Sequence, residues 1–83
     1  MSRRYPLQPL IDAIGIDGPI LRREGTSLSV DQQAAYAIGV DQSAVRRARR
    51  LGLSEALADR WAIRAGLHPD LVWDGFMSRE VSR

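Results

Sequence analysis

The sequence predicts an all-α fold, a compact bundle of four to five short helices that contains a helix-turn-helix, and three observations carry that reading. Apolar residues recur three and four apart between turn residues along most of the chain, the signature of helices with one buried face. Helix starts and stops are marked by capping residues and glycines. Residues 29–52, SVDQQAAYAIGVDQSAVRRARRLG, read as a helix, a three-residue turn and a second helix loaded with arginine. No segment reads as a convincing strand.

In chain order, Leu7, Leu10, Ile11 and Ile14 share a helical stripe, Pro9 sits in the tolerated first turn, and Gly15 ends the first helix. Asp17, Gly18 and Pro19 resemble a second helix start, after which Ile20 and Leu21 pack inward until Gly25 stops it. Ser29 and Gln32 form an S-x-x-Q capping box, in which two backbone donors are satisfied reciprocally, and the helix it opens is expected to reach Ile38. Asp41 caps the next helix, which starts at Gln42 and stops at Gly52. Ser54 caps another, whose Leu57, Ala58, Trp61, Ala62 and Ala65 form one stripe closed by Gly66. His68 and Pro69 open a short last segment from which Leu71, Val72 and Trp73 cover the core. The domain is expected to occupy 1–76, with the polar residues 77–83 as a frayed tail and the stretch from Trp73 to Val81 as either dimer surface or tail.

The spacing within 29–52 has a physical logic. A helix-turn-helix crosses its two helices steeply, so the first needs a small residue at the crossing, and Ala35 supplies it. Gly39 permits the left-handed backbone of the turn. Ala34, Ile38, Val40, Val45 and Ala48 face the body of the domain. On the second helix, at about 100° per residue, Ala44, Val45, Ala48 and Leu51 fall on one side. Gln42, Ser43, Arg46, Arg47, Arg49 and Arg50 fill an arc of roughly 160° with no acidic residue among them. A merely solvated face mixes signs, because opposite charges three or four apart stabilise a helix. Four unpaired guanidinium groups call for an anion, and phosphate is the commonest. Gln42 and Ser43 are residue types that meet base edges or phosphates.

Composition sets the limits. With 83 residues the chain is one domain near the small end of what folds alone, which leaves a share of its stability to self-association. It contains no cysteine, so disulfides and thiolate metal sites are excluded. No apolar run approaches the roughly 20 residues needed to span a bilayer, and MSRRYPL lacks a signal-peptide core, so a cytoplasmic, nucleoid-associated protein is expected. The net charge is only +2, but every basic residue is arginine and four lie within 46–50.

The run IGVDQSAV, with Gln32 and Ala35 upstream, resembles the helix-turn-helix of the lambda-repressor and Cro family. YPLQPLIDAIG near the start and LSEALADRWAIRAGLHPDLVW towards the end resemble small helix-turn-helix proteins of actinobacterial phages and their relatives. Together the two resemblances cover residues 5 to 73. They imply a compact helical domain whose third or fourth helix docks in the major groove of DNA, often as a dimer. They place Gln42, Ser43, Arg46 and Arg47 against bases, and Gln32 and Arg50 nearer the backbone. Two departures stand out: the 15–28 region is longer and richer in glycine than the simplest members need, and Phe76 stands where relatives often have a second tryptophan.

Chemistry-bearing constellations are absent. His68 is the single histidine and suits a turn or cap better than a metal or a proton transfer. Asp59 and Arg60 are adjacent, hence point apart on a helix, and Asp59 is expected to pair with an arginine elsewhere. Trp61 and Trp73 lie on apolar stripes and read as core. The glycines form no phosphate loop. No cofactor, metal or enzymatic activity is expected. Two expectations follow. The first is a sequence-specific DNA-binding regulator of repressor, Cro or excisionase type, acting on double-stranded DNA as a homodimer or cooperative pair. It uses Gln32, Gln42, Ser43, Arg46, Arg47, Arg49 and Arg50, with Arg3 and Arg4 on a flexible arm. The second is a helical protein-interaction module, such as a phage factor that binds a host regulatory protein or polymerase, where arginine is also favoured.

Overall fold

The computed structural model of the protein describes residues 4–74. They form five helices and one two-stranded antiparallel ribbon: α1 (Gln8–Ile14), β1 (Ile20–Leu21), β2 (Ser27–Leu28), α2 (Val30–Ile38), α3 (Gln42–Leu51), α4 (Glu55–Arg64) and α5 (Pro69–Val72).

Local signals account for most helix ends. Ser29 and Gln32 make the complete capping box: the Gln32 backbone N–H donates to Ser29 Oγ at 3.2 Å, and the Ser29 N–H donates to Gln32 Oε1 at 2.8 Å. Ser54 Oγ accepts from the Leu57 N–H at 3.3 Å to start α4. Gly39 ends α2 at φ 80° and ψ 37°, a left-handed conformation that a side chain would resist. Its N–H donates to the Ala35 carbonyl at 2.8 Å, and the chain turns through Val40 and Asp41 into α3.

The expected helix start at Asp17–Pro19 is instead a hairpin. Ile20 pairs with Leu28 and Leu21 with Ser27, and the Arg22 N–H donates to the Thr26 carbonyl at 2.7 Å. Pro19 lacks a backbone donor, and glycines at 18 and 25 leave too short a stretch for a helix to repay its nucleation. Ile20 and Leu21, expected to pack inward, are exposed. The ribbon is tied to α2 by Gln33, whose Nε2 donates to the Gly18 carbonyl at 2.8 Å and the Leu28 carbonyl at 3.2 Å.

One apolar core holds these elements. Leu10 and Ile11 of α1, Ala34 and Ile38 of α2, Val45 and Ala48 of α3, and Ala58, Trp61 and Ala62 of α4 are buried together with Leu53. Residues 4–7, ahead of α1, are tied to the domain: Tyr5 exchanges two backbone hydrogen bonds of 2.8 Å with Leu53. Trp73 packs onto the same segment, meeting Tyr5 edge-on with ring centroids 5.6 Å apart and donating from Nε1 to the Pro6 carbonyl at 2.8 Å. Among the described residues no charged side chain is buried. Leu71, expected to cover the core with Val72 and Trp73, is 82% exposed, because α5 is a single turn and aims successive residues about 100° apart. Arg3, Phe76, the 77–83 tail and the rest of the Trp73 to Val81 stretch beyond residue 74 lie outside the described residues.

Candidate functional site

The candidate site is built on α3, whose inner side is anchored by the fully buried Val45 and the nearly buried Ala48. Ser43, Arg46, Arg47 and Arg50 are exposed and project from the side of the helix opposite that anchor. The helix is ten residues long, about 15 Å at 1.5 Å per residue, so the stripe runs most of its length.

The N-terminus of α3 already holds an anion of its own. Asp41 Oδ2 accepts the Ser43 backbone N–H at 3.3 Å and the Ser43 hydroxyl, and these two bonds pull the Asp41 carboxyl below its usual value of 3.8. Anion contact along this face therefore falls to the arginines, and the Ser43 hydroxyl proton is committed to its own cap. Gln32 is similarly engaged, its carbonyl oxygen bound in the capping box and its amide N–H₂ left over for other partners.

One of the expected site residues has a different environment. Arg49, read as an unpaired member of the basic face, reaches back to Asp31 in the first turn of α2, donating from Nη2 at 2.6 Å and from Nε at 3.2 Å to the same carboxylate oxygen. It lies on the α2 side of α3, eighteen residues from its partner, a pairing invisible to spacing rules within one helix. Arg46, Arg47 and Arg50 have no ion-pair partner among the described residues. Neither has Asp59, which was expected to pair. His68 Nδ1 accepts the Asp70 N–H at 3.1 Å and caps α5. Among the described residues no group of histidine, cysteine or carboxylate side chains is placed to hold a metal.

The flanks of α3 add residues that sequence reasoning did not select. On the α2 side, Gln32, Gln42 and Tyr36 border a shallow depression, with Tyr36 78% exposed. Tyr36 is four residues after Gln32 and so shares its helix face, which was the available signal. On the α4 side a cleft is lined by Arg47 of α3, by Arg60 and Arg64 of α4, and by Arg4. Arg4, expected on a flexible arm, is positioned there by the Tyr5 and Leu53 pairing, and its side chain covers Gly52. Arg64 Nη1 donates to the Gly39 carbonyl at 3.2 Å, joining α4 to the turn between α2 and α3.

Comparison of the chain with protein-family models, with curated proteins and with solved structures found no match. The resemblance to lambda-repressor and Cro proteins and to small actinobacterial phage proteins thus stands on the quoted residues alone. No helix among the described residues is long and apolar enough to cross a membrane.

Proposed function

We propose that this protein is a sequence-specific DNA-binding regulator that uses α2, the Gly39–Asp41 turn and α3 as a helix-turn-helix and lays α3 in the major groove. The observation that carries the reading is the stripe of Ser43, Arg46, Arg47 and Arg50, free of acidic residues, on a helix whose opposite side is locked into the core. A groove about 12 Å wide admits one α-helix, and arginine reads guanine through its O6 and N7 acceptors while glutamine reads adenine. In this arrangement Arg46 and Arg47 meet bases, Gln42 meets a base edge from the α2 side, and Arg50 and the Gln32 amide meet phosphates. Arg49 acts chiefly by holding α3 to α2. A single helix of this size reads few base pairs, so two copies on half-sites one DNA turn apart, roughly 34 Å, supply the specificity. Such a regulator works in the cytoplasm at promoters, by occlusion or recruitment.

The deciding experiment is selection of bound duplexes from a random pool, followed by mobility shifts of the enriched sequence against random competitor across a salt series. A discrete complex that survives competitor near physiological salt supports the reading. Competitor-sensitive smearing that vanishes as salt rises means that the arginines bind polyanions generically, and the reading falls.

A further inference from the structure

We propose that the cleft between α3 and α4 binds a small amphipathic anion, a carboxylate or phosphate-monoester head carried on a short apolar chain. The cleft has a volume of about 490 Å³, within the roughly 300 to 1,000 Å³ usual for small-molecule sites. Its lining draws cations from three parts of the chain: Arg4 from the N-terminal segment, Arg47 from α3, and Arg60 with Arg64 from α4. No acidic residue lines it. Arg60 and Arg64 are four apart on one helix, a like-charge pair that weakens the helix unless an anion sits between them.

The lining also carries apolar residues that the core does not account for. Leu51 is 54% exposed and Leu57 is 36% exposed, and both line the cleft together with the buried Leu53. A simple inorganic anion would satisfy the guanidinium groups and leave these leucines in water. An uncharged apolar molecule would cover the leucines and strip water from arginines without replacing it, which is unfavourable. A molecule with both parts meets both demands. The Tyr5 and Leu53 pairing and the Arg64 bond to Gly39 hold the surrounding segments in place, so the site exists before the ligand arrives.

The test is ¹H–¹⁵N NMR of the full chain without DNA, so its result does not depend on whether α3 meets DNA. The protein is titrated separately with decanoate, decyl phosphate, decanol and inorganic phosphate, the surfactants below their micelle concentrations. Decanoate or decyl phosphate is expected to give saturable shifts at Leu51, Leu57 and Arg60, and the tighter of the two sets the head group. Octanoate should bind roughly tenfold more weakly than decanoate, from the loss of two methylenes. Arg60→Glu should weaken binding roughly tenfold or more, Arg60→Ala should weaken it without reversing the charge, and Arg23→Glu on the hairpin should leave it unchanged. The absence of saturable shifts with both anionic amphiphiles overturns the proposal. So do equal affinity for decanol, equal affinity for inorganic phosphate, or cleft shifts that follow protein concentration alone and show that a second copy covers the site.

Discussion

Arg49 and Asp31 connect the last turn of α3 to the first turn of α2 through two hydrogen bonds to one carboxylate oxygen, at 2.6 and 3.2 Å. The pair holds α3 beside α2 and removes one guanidinium from the basic face. Both partners keep contact with water, so Arg49→Ala is expected to cost about 1 kcal/mol of stability or less in urea unfolding. In duplex binding, Arg46→Ala or Arg47→Ala should cost about 1 to 3 kcal/mol and relax preference at one base pair, clearly more than Arg49→Ala. Equal losses for Arg46, Arg47 and Arg49 would remove the distinction drawn between groove-facing and helix-holding arginines.

Gly39 and Gly52 both have positive φ but differ in what surrounds them. Gly39, at φ 80°, has open space where a side chain would go, the nearest atom being Arg64 Nη1 at 4.0 Å. Gly39→Ala should therefore cost only the left-handed backbone, about 1 to 2 kcal/mol. Gly52 combines φ 81° with ψ 174°, a region almost confined to glycine, and an added Cβ would lie 3.2 Å from Arg4 Cβ and 3.4 Å from the Tyr5 carbonyl oxygen. Tyr5 is locked to Leu53 and cannot withdraw, so Gly52→Ala should cost about 3 kcal/mol. Thermal melts that rank Gly39→Ala as the worse variant would contradict this packing.

Asp41 carries a pH signature. Its carboxyl is held below 3.8 first by the Ser43 hydroxyl and then by the Ser43 backbone N–H. A folded value below the unfolded one means that the cap stabilises α3 at pH above the ordinary carboxylate range and loses that contribution as pH falls through the depressed folded value. In a ¹³C carboxyl titration, Ser43→Ala should move Asp41 upward towards 3.8. An unmoved titration midpoint would assign the depression to the backbone alone.

Trp73→Phe tests how the two ends of the described chain are joined. It retains a ring against Tyr5 but removes the Nε1–H donor to the Pro6 carbonyl. A loss of about 1 to 2 kcal/mol is expected in denaturant unfolding. A neutral result would show that water replaces the indole at no cost.

The limits of α2, α3 and α4 were legible because capping is local. Ser29 and Gln32, Asp41 and Ser54 each satisfy donors two or three residues away, so the sequence carries the whole interaction. The apolar stripes likewise named Ile11, Ile38, Val45 and Trp61 as core, because a helical repeat shows which residues share a side. The stripe rule failed at Leu51, Leu57 and Leu71, all within a turn of a helix end and all exposed.

Tertiary structure decided the rest, because those interactions join residues of different elements. The hairpin at residues 20–28 replaced a helix through backbone pairing and through Gln33, a polar side chain with no periodic signal of its own. Arg49 changed from free cation to helix tie when folding placed α2 beside it. The arginines at positions 4, 47, 60 and 64 are separate in sequence and share one cleft only after Leu53 pairs with Tyr5 and both α3 and α4 pack against α2. The sequence by itself determined the limits of α2, α3 and α4 and which side of α3 is basic, since both follow from contacts within a turn. Where that side opens into a cleft, and which of its charges stay available, depended on packing between elements that no local rule encodes.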